Sequence, residues 1–228
     1  MALWDLRAER ISRGWSQSIL AQKLGVSQPY VVMLEKGKRT LTPELARKLV
    51  RACRYSPAFL APDVDPRPMN AQRLAESLKA LGYPGYAYLR SHTAKRNPAA
   101  VLLAALRHHK LEARLVEALP WLILQYWNMD FTWLLDQAKQ ANLQNRLGFV
   151  VSLARRLAER TDNPLRNQKL AELESALTES KLAKEDFFLA PARTASERRW
   201  MLQNRSAEAE HWNLVTDLKP EHLPSYAS

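Results

Sequence analysis

Apolar residues recur at helical spacing along the chain, and no segment alternates apolar and polar residues as a strand does. Near the amino terminus this spacing is broken at Gly14 and Gly25, residues that end a helix by tolerating a positive φ. Ser16 and Ser27 follow the breaks closely and are predicted N-caps. The pattern there predicts helices at 3–13, 17–24, 28–36 and 43–52, with a short fifth helix after Ser56.

Residues 61–70 contain three prolines and no hydrophobic periodicity, which is typical of a semi-rigid linker. We therefore expect a domain at 1–61, a linker at 62–69 and a larger domain at 70–228. Every periodic stretch after the linker also has helical spacing, so the predicted fold class is all-α. The predicted N-caps of this part are Asn70, Asn97, Asp130 and Thr194.

The net charge of +11 is concentrated at the amino-terminal end. Residues 1–61 hold eleven Lys and Arg against four Asp and Glu, a net charge of +7, and residues 62–228 carry only +4. A small basic domain attracts phosphate polyanions and accelerates its encounters with them. The charge alone therefore favours nucleic acid as a partner, although an idle basic surface would have the same composition.

Several functions are not supported by the motifs present. The single cysteine, Cys53, excludes an intramolecular disulfide and an all-cysteine zinc site, and its apolar neighbours indicate a buried, inert thiol. No phosphate-binding glycine loop, HExxH motif or nucleophile elbow occurs, so we expect no enzyme activity, no metal and no cofactor. The apolar runs are far shorter than the ~18–20 residues of a membrane span, and we expect a cytoplasmic protein without membrane contact.

Two short amphipathic helices that meet at Gly25 are typical of a helix-turn-helix, whose second helix enters the major groove of DNA. The first turn of that helix makes Gln28 and Tyr30 the leading candidates for base contacts, and glutamine can bind adenine with two hydrogen bonds. Met33 lies one turn beyond and would meet thymine methyl groups. Tyr30 has an alternative role, since it could instead pack on its own domain.

The remaining polar positions around this helix suit the phosphate backbone. Gln17, at the start of the preceding helix, can bind phosphate through its side chain and through the free N–H groups of the helix end. The other predicted phosphate contacts are Ser27, Lys36, Lys38 and Arg39. The three cations could also form an ordinary solvated turn. Glu35 would be repelled by phosphate, and we predict that it forms an ion pair with Arg10 of the first helix instead.

This segment resembles the helix-turn-helix of the Cro/C1 repressor family, also called the XRE family. The matching residues are Leu6, Arg10, Gly14, Ser16-Gln17, Leu20-Ala21, Leu24-Gly25-Val26-Ser27, Leu34-Glu35, Gly37-Lys38 and Leu45. The resemblance covers residues 3–61 and implies a five-helix, lambda-repressor-like DNA-binding domain with base contacts at Gln28 and its neighbours and an Arg10–Glu35 pair. Val32-Met33 departs from the polar residues usual there, so DNA shape would contribute to recognition.

The larger part, residues 70–228, gives less specific signals. Asn142–Arg146 groups several hydrogen-bond donors at the mouth of a helix, as either a binding surface or an N-cap network would. The whole segment is interpreted as a helical interaction or sensing module, faintly similar to the carboxy-terminal parts of antitoxins.

These observations predict a sequence-specific, double-stranded DNA-binding transcriptional regulator, which we expect to be a repressor and a homodimer on a palindromic operator. One form of it is an antitoxin that represses its own operon and binds a toxin through residues 70–228. The alternative is a protein-binding adaptor with weak, non-specific DNA affinity. Sequence preference in DNA binding separates the two.

Overall fold

The computed structural model describes residues 6–63, 69–90, 92–108, 110–159, 163–188 and 194–223. Of these described residues 64% are helical, which confirms the predicted all-α fold class. Within those ranges the α-helices are α1 Leu6–Ser12, α2 Gln17–Leu24, α3 Gln28–Glu35, α4 Pro43–Ala52, α5 Ala71–Ala80, α6 Pro98–Leu106, α7 Ala113–Gln125, α8 Phe131–Gln140, α9 Gln144–Ala158, α10 Pro164–Glu179, α11 Ala195–Asn204 and α12 Ala207–His211. Two strands of two residues each, β1 Asp186–Phe187 and β2 Leu214–Val215, pair in parallel.

The amino-terminal helices begin and end through the local signals seen in the sequence. Ser16 caps α2 by accepting a hydrogen bond from the Ile19 N–H at 3.1 Å, and Gly25 ends the helix with φ +69°. The predicted fifth helix is a single 3₁₀ turn at Pro57–Phe59.

The predicted N-cap at Ser27 is wrong in one respect, because the Ser27 hydroxyl makes no capping hydrogen bond. An N-cap side chain bonds the N–H of the second or third helical residue. The second residue of α3 is Pro29, which has no N–H, and the third is Tyr30, whose N–H donates to the Ser27 carbonyl at 3.1 Å.

Two hydrophobic clusters divide the chain. The first contains buried residues of α1 to α4 together with Tyr55, and the second begins at Ala58 and continues to Leu223. Asn97, the N-cap of α6, donates from its amide to the Leu60 carbonyl at 2.6 Å and so links α6 to the segment that follows the 3₁₀ turn. Residues 64–68 of the predicted linker lie outside the described residues, and the proposed domain boundaries remain a prediction.

The second cluster is built around α9, which is buried along most of its length and packs against α7 and α10. Arg146, near its start, pairs with Asp186 of β1 at 2.5 Å and donates to the Leu106 and His108 carbonyls. Asn145 likewise bonds the Leu182 backbone. Arg146 and Asn145 are therefore neither a binding surface nor caps of α9, because buried contacts to distant segments engage both side chains.

In the part of the chain that the structure describes, no helix is long and apolar enough to cross a membrane.

Candidate nucleic-acid interface

Helices α2 and α3 pack against each other through small and branched apolar side chains. The buried residues of α2 are Leu20, Ala21 and Leu24, and those of α3 are Val31 and Leu34. Lys48 of α4 donates to the last carbonyl of α2 at 2.8 Å, which satisfies one of the unpaired acceptors of that helix end. These contacts fix the orientation of α3 relative to α2 and α4.

The side of α3 that faces away from the core is largely apolar. With about 100° between successive residues, Pro29, Val32 and Met33 lie opposite the buried Val31 and Leu34. Val32 and Met33 are half-buried. Sequence reasoning selected Met33 for this face but not Val32, although the same helical spacing identifies both.

The predicted base contacts at the start of α3 differ in exposure. Gln28, the first residue of α3, is exposed. Tyr30 is half-buried and packs against the first hydrophobic cluster, as its alternative role required, so that only part of its ring is open to solvent. Gln28 is therefore the predicted base contact with the most freely accessible polar group.

A cationic loop follows α3 and is held in one conformation by its backbone. The Lys36 N–H donates to the Val32 carbonyl at 3.0 Å, and the Lys38 N–H to the Met33 carbonyl at 2.9 Å. Gly37 between them has φ +67°, a conformation that L side chains rarely adopt. The side chains of Lys36, Lys38 and Arg39 are exposed, and no described acidic side chain pairs with them.

Glu35, the last residue of α3, is tied to both preceding helices. Arg10 Nε lies 2.6 Å from Glu35 Oε1, and the Gln17 amide donates to Glu35 Oε2 at 2.8 Å. Arg10 also donates to the Trp15 carbonyl at 2.7 Å. Burial of the carboxyl opposes its ionisation, but the hydrogen bonds from Arg10 and Gln17 outweigh burial and lower the pKa of Glu35. Glu35 therefore connects α3 to α1 and α2 inside the domain and is not a DNA contact.

Two predicted phosphate contacts lie at the starts of α2 and α3. Gln17 is half-buried and uses one amide N–H on Glu35, which leaves for an anion its other N–H and those first-turn backbone N–H groups of α2 that Ser16 does not cap. Ser27 is exposed, and its hydroxyl is not engaged in capping. The hydrogen bond to Glu35 therefore positions the Gln17 side chain before any ligand binds.

Arg13 was not singled out in the sequence, yet it holds the carboxy-terminal end of α4. It donates to the Cys53 carbonyl at 2.7 Å and lies over the Tyr55 ring at 4.4 Å from the centroid. These two partners lie about forty residues away and cannot be identified from local spacing, whereas its ion pair with Glu9 at 2.6 Å is a local contact four residues apart. Cys53 itself is buried, as predicted, and burial raises the pKa of its thiol.

The Helix-turn-helix family model matches residues 6–60. Residues 6–60 are a helix-turn-helix domain. This family is one of DNA-binding regulators, and the match supports a DNA-binding helix-turn-helix regulator. Neither a curated protein nor a solved structure matches the chain. Outside the match, no group of three or more His, Cys, Asp or Glu among the described residues could hold a metal.

Proposed function

We propose that this regulator is a repressor that recognises a specific duplex sequence through the start of α3. The observation that carries the proposal is the exposed Gln28 at the start of α3, together with the cationic loop of Lys36, Lys38 and Arg39 after its end, which no described acidic side chain neutralises. Glutamine can read adenine in the major groove, whereas cations near the helix fix its register on the phosphates.

Apolar contacts complete the recognition surface. Met33 and Val32 meet thymine methyl groups, and the open part of the Tyr30 ring contacts a neighbouring base or sugar. Gln17 and Ser27 bind phosphate oxygens at the edge of the groove, with backbone N–H groups of α2 assisting. Because few side chains on this face can form hydrogen bonds, the shape of the operator contributes to specificity.

The protein acts in the cytoplasm as a homodimer on a palindromic operator. Two copies would place their α3 helices in half-sites about one helical turn apart, roughly 34 Å, to match the two-fold symmetry of the site. Selection of bound duplexes from a random pool tests the proposal. We expect an inverted repeat with this spacing, and a pool without enriched sequences would contradict specific recognition.

A more specific version of this proposal is that the protein is an antitoxin, which represses its own operon and binds a toxin through residues 70–228. Large apolar side chains exposed in this part, Trp200 at 54% and Leu165 at 55%, are suited to burial in an interface. Co-expression with the protein encoded by the adjacent gene should give a stable complex on size exclusion. Trp200→Ala should weaken that complex, and separate elution of the two wild-type proteins would contradict this form.

A further inference from the structure

A cavity of about 820 Å³ lies between the helix-turn-helix domain and the larger carboxy-terminal part. One wall is a face of α4, the other is the segment 94–97 with the first turn of α6, and residues 60 and 61 connect them. The volume is within the range of small-molecule sites, which also form preferentially where two parts of a chain meet. None of the contacts derived above for DNA uses this cavity.

Five cationic side chains line the cavity and come from two distant segments. They are Arg47 and Arg51 of α4, Arg54 just after that helix, and Lys95 and Arg96. Where the structure describes the chain, none of these side chains has a hydrogen-bond or ion-pair partner. The lining contains one acidic residue, Asp63, which forms no ion pair. The cavity wall therefore carries a large excess of positive charge.

Helix electrostatics do not account for this arrangement. Cations near the end of α4 complement the helix dipole, which suits Arg51 and Arg54. Arg47 and Arg51, however, are like charges four residues apart and repel each other. Lys95 and Arg96 belong to another segment and add to that repulsion. An anion between the two walls would relieve it.

Asn97 fixes the 94–97 wall against the residues that connect it to α4. It is buried, its amide donates to the Leu60 carbonyl at 2.6 Å, and its carbonyl oxygen accepts the Ala99 N–H at 2.8 Å. The residues directly before it, Lys95 and Arg96, are thereby fixed beside residues 60 and 61. The backbone that carries Lys95 and Arg96 is therefore in place before a ligand arrives, which reduces the entropy lost on binding.

We propose that this cavity binds a small molecule of nucleotide size through its phosphate groups. Guanidinium groups bind phosphate oxygens in pairs of parallel hydrogen bonds, and a ligand with several phosphates would neutralise the five cations. The buried Val50, half-buried Leu60 and Ala100 provide an apolar wall for the rest of the ligand.

Calorimetric titration of the full chain at physiological salt tests the proposal with three probes: ATP, inorganic triphosphate and adenosine. ATP and inorganic triphosphate should bind with saturation, and adenosine should not. The double variant Arg51→Ala/Arg96→Ala should weaken both phosphate probes at least tenfold. The charge-matched control is Arg73→Ala/Lys139→Ala, which removes exposed cations of α5 and α8 and should leave the affinity unchanged. Absence of saturable triphosphate binding, or an equal loss in the control, would overturn the proposal.

A variant that binds triphosphate more tightly gives a second test, because a misfolded protein would lose affinity rather than gain it. Asp63→Asn removes the one carboxylate that lines the cavity and should tighten triphosphate binding several-fold. Unchanged or weaker binding would contradict the site. The Arg51→Ala/Arg96→Ala variant should also retain the affinity of the wild type for duplex DNA. If it lost as much DNA affinity as Lys38→Ala/Arg39→Ala, these cations would serve DNA and the small-molecule site would be wrong.

Discussion

The indole of Trp212 occupies the space in which residue 148 would carry a side chain. A Cβ placed on Gly148 of α9 would lie 2.4 Å from the Trp212 ring, and the ring is completely buried. The indole N–H donates to Ser152, one turn along α9, at 2.8 Å. Trp212 thus anchors the carboxy-terminal segment onto the central helix of the larger part.

Gly148→Ala should destabilise the protein although alanine is the better helix former. Alanine gains about 1 kcal/mol of helix propensity, but the indole must move out of its site, and overpacking of this kind costs about 1–3 kcal/mol or more. Urea unfolding should show a lower midpoint. In a Trp212→Leu background the same substitution should be neutral or stabilising. Equal loss in both backgrounds would show that the indole is not the obstacle.

Glu35→Gln should loosen the helix-turn-helix domain. The amide keeps the shape of the side chain but leaves the buried charge of Arg10 without its counter-ion, at a cost of about 2–3 kcal/mol. Hydrogen exchange in α1 to α3 should accelerate, whereas Glu44→Gln on the exposed first turn of α4 should change it little.

The destabilisation caused by Glu35→Gln should depend on pH. The pKa of Glu35 is lowered in the folded protein, so its stabilisation is fully present above the ordinary carboxyl pKa of about 4.5 and is lost as the pH falls further. The difference in exchange between wild type and Glu35→Gln should therefore shrink in acid. A difference independent of pH would contradict an ionised pair.

Buried tyrosines should make the protein sensitive to alkali. Burial raises the pKa of Tyr55 and Tyr126 to about 12, against about 10 in an unfolded chain. Between pH 10 and 12 the unfolded state loses protons that the native state keeps, so the free energy of unfolding should fall by up to about 2–3 kcal/mol for each residue.

Substitution by phenylalanine distinguishes the two tyrosines at neutral pH. The Tyr55 hydroxyl is buried without a hydrogen-bond partner among the described residues, so Tyr55→Phe should be neutral or slightly stabilising. Tyr126 donates to the Leu81 carbonyl at 2.7 Å, and Tyr126→Phe should cost about 1 kcal/mol. Chemical denaturation at pH 7 and pH 11 measures both effects. A wild-type stability that does not fall in alkali would contradict the account.

The sequence predicted the features that depend on neighbouring residues. Helix α2, from its cap at Ser16 to its end at Gly25, has the predicted bounds because a serine hydroxyl and a left-handed glycine act within one turn. The contacts that orient whole elements were not predictable in this way. Trp212 packs on a glycine 64 residues earlier in the chain, and Arg146 pairs with an aspartate 40 residues later. No local periodicity encodes such distant partners.

Lys38→Ala/Arg39→Ala should weaken binding to all duplex sequences by a similar factor. Each phosphate contact releases a counter-ion and contributes about 0.9 to the slope of log affinity against log salt, so the slope should fall by one to two units. Fluorescence anisotropy across a salt series measures it, with Arg73→Ala/Lys139→Ala as the charge-matched control. Equal slopes in the two variants would indicate a general charge effect rather than contacts from the loop.

The central claim is that Gln28 reads a base, and selection of duplexes from a random pool by Gln28→Ala tests it most directly. The wild type and the control Gln203→Ala, an exposed glutamine of α11, should return the same motif. The Gln28→Ala variant should lose the preference at one position in each half-site, worth about 1–3 kcal/mol, and keep the rest. A motif from Gln28→Ala identical to that of the wild type at every position would contradict the claim.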